Sequence, residues 1–443
     1  MSSITKDFSR IITTSLKTIT PEFIFKNKVR ISNSKIESGS FALNLNQYEK
    51  VYVIGFGKAS SAMATELEKY LIDRIESGIV ITKYGFKTPT RKIKIYEAGH
   101  PIPDENSIKY SQEIIKLLEK TTSNDLVICL ISGGGSALFE MLEPQWELTT
   151  LQSLNEYLIK QNISIYEINR FRKAFSKVKD GKLLKYIFPS TCISFILSDV
   201  PGNDLSVIAS GPTFINKQHT YTEIKNINEV KEILSKNISS PPIEEQIVEK
   251  KYEEYIVDYY RNRVHNLIIA SNEDIVNSSR DVITNLGYEI QNIEYNLLSS
   301  TEEVCKKVVD ELSEFEIQDR KSKKAFIFGG ETFLKVTGNG KGGRNSHLIL
   351  QILNEIISKK LIFNFQYLIA SLATDGNDGP TDAAGAFITD ELVEKLRNEE
   401  ATINSFLKKF DSYNFFNQHN CLIRTGVTYT NVADLIIGLF QKQ

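Results

Sequence analysis

Lys58 stands at an unusual place. The stretch Lys50–Ile72 reads as a strand, a glycine turn (Gly55-Phe56-Gly57-Lys58-Ala59-Ser60) and a helix. A lysine at a helix start opposes the helix dipole, and makes sense where an anion sits in front of it. The plain alternative is a solvent-facing lysine. Ser132-Gly133-Gly134-Gly135-Ser136 repeats the pattern of apolar strand, glycines and helix. Its bare amides and two hydroxyls suit a phosphate or a carboxylate, whereas a tight turn needs only the glycines.

Arg170, Arg172 and Lys173 pack three cations into four positions. Asp199 and Asp204 follow the apolar run beginning at Thr191. An acid just past a buried strand suits a base or a metal ligand, and Asp199 is the stronger candidate; Asp204 reads as a turn cap. Gly329–Asn345 (GGETFLKVTGNGKGGRN) carries Glu331, Lys335, Lys341 and Arg344. It reads as a strand pair, Ala325–Phe328 and Thr332–Val336, with a second glycine turn leading to a helix. Asp375, Asp378 and Asp382 lie within eight residues of one another. No bidentate Glu follows where a calcium loop needs one, so Mg²⁺ suits these oxygens better. Thr430 or Asn431 reads as an N-cap for a last helix from Val432.

Other chemistries are less favoured by the chain. The turn at Gly55–Ser60 begins like GxGxxG, but Ser60 replaces the third glycine. Thr82-Lys83 stands where a ribose-binding acid is expected. The nucleophile elbow, the Walker A loop and the protein-kinase motifs are missing. The four cysteines make no CxxC pair, which fits a reducing cytoplasm rather than a disulfide frame.

These candidates need strand ends and helix starts to hold them. Five apolar runs between residues 50 and 200 alternate with helical stretches, which implies a doubly wound, parallel α/β sheet. Residues 216–262 are polar and read as mostly helical, broken at Pro241-Pro242, and suit an interdomain connection. A second α/β series follows, from Val264–Ser271 through Phe365–Gly376. At 443 residues the chain is too long for one core. The expected division is an N-terminal domain over 1–240 and a C-terminal domain over 241–443, with the last helix packing back on the first domain. A formal net charge of -2 gives no reason to expect nucleic acid. The first residues lack a signal-peptide core and no stretch approaches 18 apolar residues, so neither export nor a membrane span is expected. A cytoplasmic protein is the reading.

Ten short motifs, in order from about residue 50 to 435, together resemble the glycerate 2-kinase family. They are GFGKAS (55–60), AGHPIPDENS (98–107), SGGGSAL (132–138), NRFRKAFSKVKDGKL (169–183), SDVPGND (198–204), IASGPT (208–213), GGET (329–332), GKGGRN around Lys341, TDGNDGPTDAAGA (374–386) and GVTYTNVADL (426–435). The resemblance implies a Rossmann-like N-terminal domain, a C-terminal α/β domain of the MOFRL type, and an active site in the cleft between them. Departures are Ser346-His347 where the family usually has Gln-Glu, Ala373 and Asp180 where it usually has glycine, and Tyr429 where a small residue is usual.

The activity so implied is ATP-dependent phosphorylation of D-glycerate, giving 2-phosphoglycerate and ADP, with Mg²⁺ or another divalent cation. Lys58, Asp199 and Arg344 match the catalytic positions. Ser132, Gly133, Gly134, Gly135, Ser136, Arg170 and Arg172 are expected to hold the substrate or a phosphate. Gly329, Gly330, Glu331, Gly342, Gly343, Asn345, Thr430 and Asn431 are expected on the nucleotide, and Asp375, Asp378 and Glu331 on the metal. The partners expected are glycerate and nucleotide alone, in a monomer or homodimer, with no nucleic acid and no membrane. Two other readings stay open: an NAD(P)H-dependent hydroxypyruvate reductase, and a non-catalytic protein that binds a sugar acid or phosphate.

Overall fold

The computed structural model describes residues 3–144, 146–160, 165–226, 228, 230, 232, 246–315 and 323–442. The expected boundary at 240/241 and the Pro241-Pro242 break lie outside these residues. By internal contact the chain forms two compact units: one of residues 24–197 and 203–269, the other of residues 1–23, 198–202 and 270–443.

The first unit is built on six strands: β1 (Val51–Phe56), β2 (Ile75–Lys83), β3 (Ile93–Ala98), β4 (Leu126–Ile131), β5 (Thr191–Leu197) and β6 (Val264–Ala270). Their order is β6-β5-β4-β1-β2-β3. The pairs β1/β2, β1/β4, β2/β3 and β4/β5 are all parallel. β1, β4 and β5 are buried along their whole length, as strands covered on both faces must be. From β1 the chain builds outward to β2 and β3, then returns to lay β4 on the other side of β1. That reversal makes the carboxyl ends of β1 and β4 the topological switch point, where open α/β sheets bind ligands. Val264–Ala270 was expected in the second series; it is instead the edge strand β6 of this sheet. The stretch expected to be mostly helical holds two antiparallel strands, Thr220–Ile224 and Ile247–Lys251, before the Glu254–Arg263 helix.

The second unit is built on β7 (Tyr288–Ser300), β8 (Lys323–Phe333), β9 (Gln366–Ala373), β10 (Gly385–Thr389), β11 (Leu422–Ile423) and β12 (Asp434–Gln441). The order is β7-β8-β12-β9-β10-β11. Only β7/β8 is parallel; the four other pairs are antiparallel. The apolar Leu348, Ile349, Ile352, Leu353 and Ile356 of the Arg344–Ser358 helix are buried in one core with Phe326, Phe328 and Phe440. The Ser3–Thr18 helix also belongs to this unit, where its Asp7 accepts from Tyr288 and pairs with Lys323 at 3.0 Å.

Two expectations fail here for physical reasons. Ala325–Phe328 and Thr332–Val336 are not a strand pair. The chain runs as one strand from Lys323 to Phe333 because it pairs with β7 through Phe333 and with β12 through Gly330, and Gly330 leaves no room for a Cβ against the Leu297 backbone. The last segment is a strand, not a helix. Leu435, Ile436, Ile437 and Leu439 are buried between two partner strands, and Gly438 leaves room for the Phe326 ring. β-branched residues buried on both faces favour a central strand over a helix.

Candidate active site

In the first unit two turns meet at the switch point. The Lys58 amide donates to the Gly133 carbonyl at 2.9 Å. The Ser132 hydroxyl accepts from the Ala59 amide at 3.0 Å, and Ser60 Oγ donates to the Leu130 carbonyl at 2.9 Å. Ser132 is fully buried, so its side chain ties the turns together, while Gly134 and Ser136 reach the surface. Gly134, at φ +81°, faces both His100 and Lys58: a Cβ there would lie 2.8 Å from the imidazole ring and 3.4 Å from Lys58 Cγ. Ser136 Oγ lies 2.9 Å from Ser210 Oγ, on a loop where Ala209, Ser210 and Gly211 all hold positive φ. His100 and Ser210 were visible only as members of short motifs; the fold brings both to the glycine loop.

Arg170 and Arg172 lie on the Ile165–Phe175 helix, both half-buried. Burial pulls the Arg172 guanidinium below its ordinary value, and the nearby Glu140 carboxylate opposes this. Glu140 is itself buried in an ion pair with Lys179. Asp204 is an exposed turn cap that accepts from the Ser206 amide at 2.8 Å, as its position suggests.

The second unit centres on Arg344, the first residue of the Arg344–Ser358 helix. Its Nε donates to Asp434 Oδ2 at 2.6 Å, its Nη2 to Asp434 Oδ1 at 3.2 Å, and its Nη1 to Glu331. Burial works against the charged guanidinium, but Asp434 and Glu331 outweigh it and hold Arg344 above its ordinary value. Burial pushes the Asp434 carboxyl up to about 6, against the pull of Arg344. Asp434 was not among the expected site residues. With residues 434–441 read as a helix, nothing marked it as an acid at the start of a central strand.

Asp199 is half-buried and accepts from the Asn431 side chain at 2.8 Å. Thr430 is fully buried and its hydroxyl donates to the Ile19 carbonyl at 2.6 Å, a structural bond. Asn345 is buried and accepts from Ser371 Oγ. Several of the glycines have packing reasons of their own. A Cβ on Gly329 would meet Asn272 at 2.1 Å, one on Gly342 Ser412 at 2.2 Å, and one on Gly343 Asp378 at 2.2 Å.

Asp378 does not suit a metal. Its carboxylate accepts from the amides of Asn345 at 2.9 Å and Ser346 at 2.8 Å, and from Ser346 Oγ at 2.6 Å. It satisfies the first free amides of the helix. Three donors leave little of this buried carboxylate to an ion. Asp375 is buried with one oxygen on the Asn377 amide, and Glu331 is paired with Arg344. Among the described residues, His, Cys, Asp and Glu form no group of three or more able to hold an ion.

Comparison with known proteins now bears on this geometry. Residues 7–241 match a family described as a domain of unknown function (DUF4147), and residues 324–434 match the MOFRL family. The chain is 36% identical to the glycerate 2-kinase of Pyrococcus horikoshii over 441 residues, 97% of this chain and 96% of that one. The chain belongs to the glycerate 2-kinase family. It is also 34% identical to the D-glycerate 2-kinase of Thermotoga maritima, over 88% of this chain and 91% of that one. Its fold matches the crystal structure of glycerate kinase from Thermotoga maritima with a TM-score of 0.75 and 31% identity, covering 99% of each chain.

In a family that usually has Gln-Glu after GGRN, Ser346-His347 shows its own local logic. Ser346 joins the Asp378 cap and meets Ser412 at 2.9 Å. His347 is buried and stacks on Phe410 with ring centroids 4.7 Å apart. Both substitutions are absorbed in packing. No helix among the described residues is long and apolar enough to cross a membrane.

Proposed function

We infer that this protein transfers the γ-phosphoryl group of ATP to D-glycerate at the 2-hydroxyl, giving 2-phosphoglycerate and ADP. Similarity to a glycerate 2-kinase over nearly the full length, at 36% identity, carries this reading.

Phosphoryl transfer asks for positioning and for charge stabilisation more than for covalent chemistry. The 2-hydroxyl oxygen attacks the γ-phosphorus, the bond to the β,γ-bridging oxygen breaks, and ADP leaves. Asp199 takes the hydroxyl proton, held in place by Asn431. Lys58 and Arg344 offset the charge that develops on the transferring group. The amides of Gly133–Ser136 bind the glycerate carboxylate, with Arg170 beside them. Arg172, half-buried on the same helix, is the alternative partner for that carboxylate. The nucleotide lies near Arg344, Asn345 and the glycine turns before them. A Mg²⁺ ion keeps several waters and needs only one or two carboxylates; Asp375 would be the acid to hold it, and the ion would offset charge on the nucleotide phosphates.

The deciding experiment is glycerate-dependent ADP release with Mg²⁺ and ATP, followed by ³¹P NMR of the product. A 2-phosphoglycerate resonance is expected. NAD(P)H oxidation with hydroxypyruvate and no ADP release would replace this reading with the reductase. Glycerate binding without either turnover would leave a binding protein.

A further inference from the structure

Arg344 has two carboxylate partners of very different kinds. Asp434 is the first residue of central strand β12, paired with Gly330 of β8 on one side and Ala373 of β9 on the other. Its backbone carbonyl, with that of Val432, accepts from the buried Asn272 side chain at 3.0 and 2.8 Å. Its side chain is 3% exposed and grips the guanidinium through two nitrogens. Glu331 sits near the end of β8, one residue beyond the Asp434 pairing, with a side chain 40% exposed and a contact to Nη1 alone.

A guanidinium has five N–H donors. Asp434 uses two and Glu331 one, so the remaining N–H groups belong to Nη1 and Nη2. A phosphate oxygen reaching the free N–H of Nη1 lies beside Glu331 and is repelled by that carboxylate. The Nε–Nη2 edge is already taken by buried Asp434.

We propose that the two acids play opposite parts: Asp434 is a positioning residue that holds the Arg344 guanidinium throughout turnover, and Glu331 is the exposed counter-ion whose charge opposes an incoming phosphate. This rests on the kinase reading above and on Arg344 meeting the nucleotide. Removing the charge at Glu331 therefore strengthens phosphate binding, whereas removing it at Asp434 frees the guanidinium and weakens catalysis.

The test is steady-state kinetics of Glu331→Gln and Asp434→Asn in the full-length protein, with calorimetric titration of inorganic phosphate. For Glu331→Gln, KM for ATP should fall at least threefold, phosphate should bind more tightly, and kcat should change less than KM. For Asp434→Asn, kcat should fall by about tenfold or more with KM for ATP little changed, as loss of a charge-assisted bidentate contact implies. Weaker phosphate binding in Glu331→Gln would overturn the proposal, and so would an unchanged kcat in a folded Asp434→Asn protein. If Asp434→Asn fails to fold, the sign of the Glu331→Gln effect decides alone. Absence of glycerate-dependent ADP release in the wild-type protein would instead sink the kinase reading, and the phosphate titration would still report the sign at Glu331.

Discussion

The Asn431 side chain donates to the Asp199 carboxylate at 2.8 Å across 232 positions of sequence. Both residues belong to the second unit, and Asn431 lies three residues before its central strand β12. A hydrogen-bonded carboxylate has a fixed direction, which a general base needs. Asp199→Asn should lower kcat by about 10²-fold or more, the usual size of a general-base contribution. Asn431→Ala should lower it less, and should act mainly on kcat. Measuring ADP release for both variants decides. Equal and small losses would remove Asp199 from the chemistry.

Lys58 lies where two glycine turns meet. Lys58→Met should cost about 10²-fold or more in kcat, comparable to loss of one preorganised donor at a charge-developing site. Gly134→Ala should also inactivate, because its left-handed φ and the nearby His100 ring exclude a Cβ. Circular dichroism should show both variants folded. A Lys58→Met enzyme retaining a third of wild-type kcat would return that lysine to the solvent-facing reading.

Asp378 separates a structural acid from a metal ligand. Asp378→Ala leaves the Asn345 and Ser346 amides without their acceptor, so it should destabilise the protein by about 1–3 kcal/mol. Thermal unfolding measures this. The Mg²⁺ concentration giving half-maximal rate should stay unchanged in whatever activity remains. A large rise in that concentration would reinstate Asp378 as a ligand.

Two buried groups give opposite pH signatures. Burial pushes the His347 imidazole down to about 4, so the unfolded chain binds the extra proton between that value and about 6.5. The stability that follows is present above this window and is lost as pH falls through it. His347→Phe should remove that slope. The Asp434 carboxyl, pushed up to about 6, has the reverse sign: its contribution is present at low pH and is lost as pH rises through about 6. Activity should nevertheless fall below about pH 6, since a protonated Asp434 no longer grips Arg344 through two acceptors. Asp434→Asn should lose that limb of the pH–rate curve. Denaturant titrations and pH–rate profiles over pH 4–8 check both.

Much of the parallel sheet was legible in the chain. β1 and β4 are buried apolar runs leading into glycine turns, and such runs have few other ways to fold. That pattern also put Lys58 and the Ser132–Ser136 loop at strand ends. The second sheet was harder to read, because a strand and a helix that are buried all round look alike in an apolar run. Leu435–Phe440 could be read either way, and only its two partner strands and the fit of Gly438 against Phe326 fixed it. Asp434 went unnoticed for that reason. Asp378 was seen as an acid in an Asp/Gly turn, but the distant Asn345 and Ser346 amides determined its role. The sequence alone determined which residues could do chemistry, through types and local spacing. The tertiary structure decided which carboxylate caps a helix and which grips Arg344, because those bonds join residues tens to hundreds of positions apart and depend on burial that no local pattern encodes.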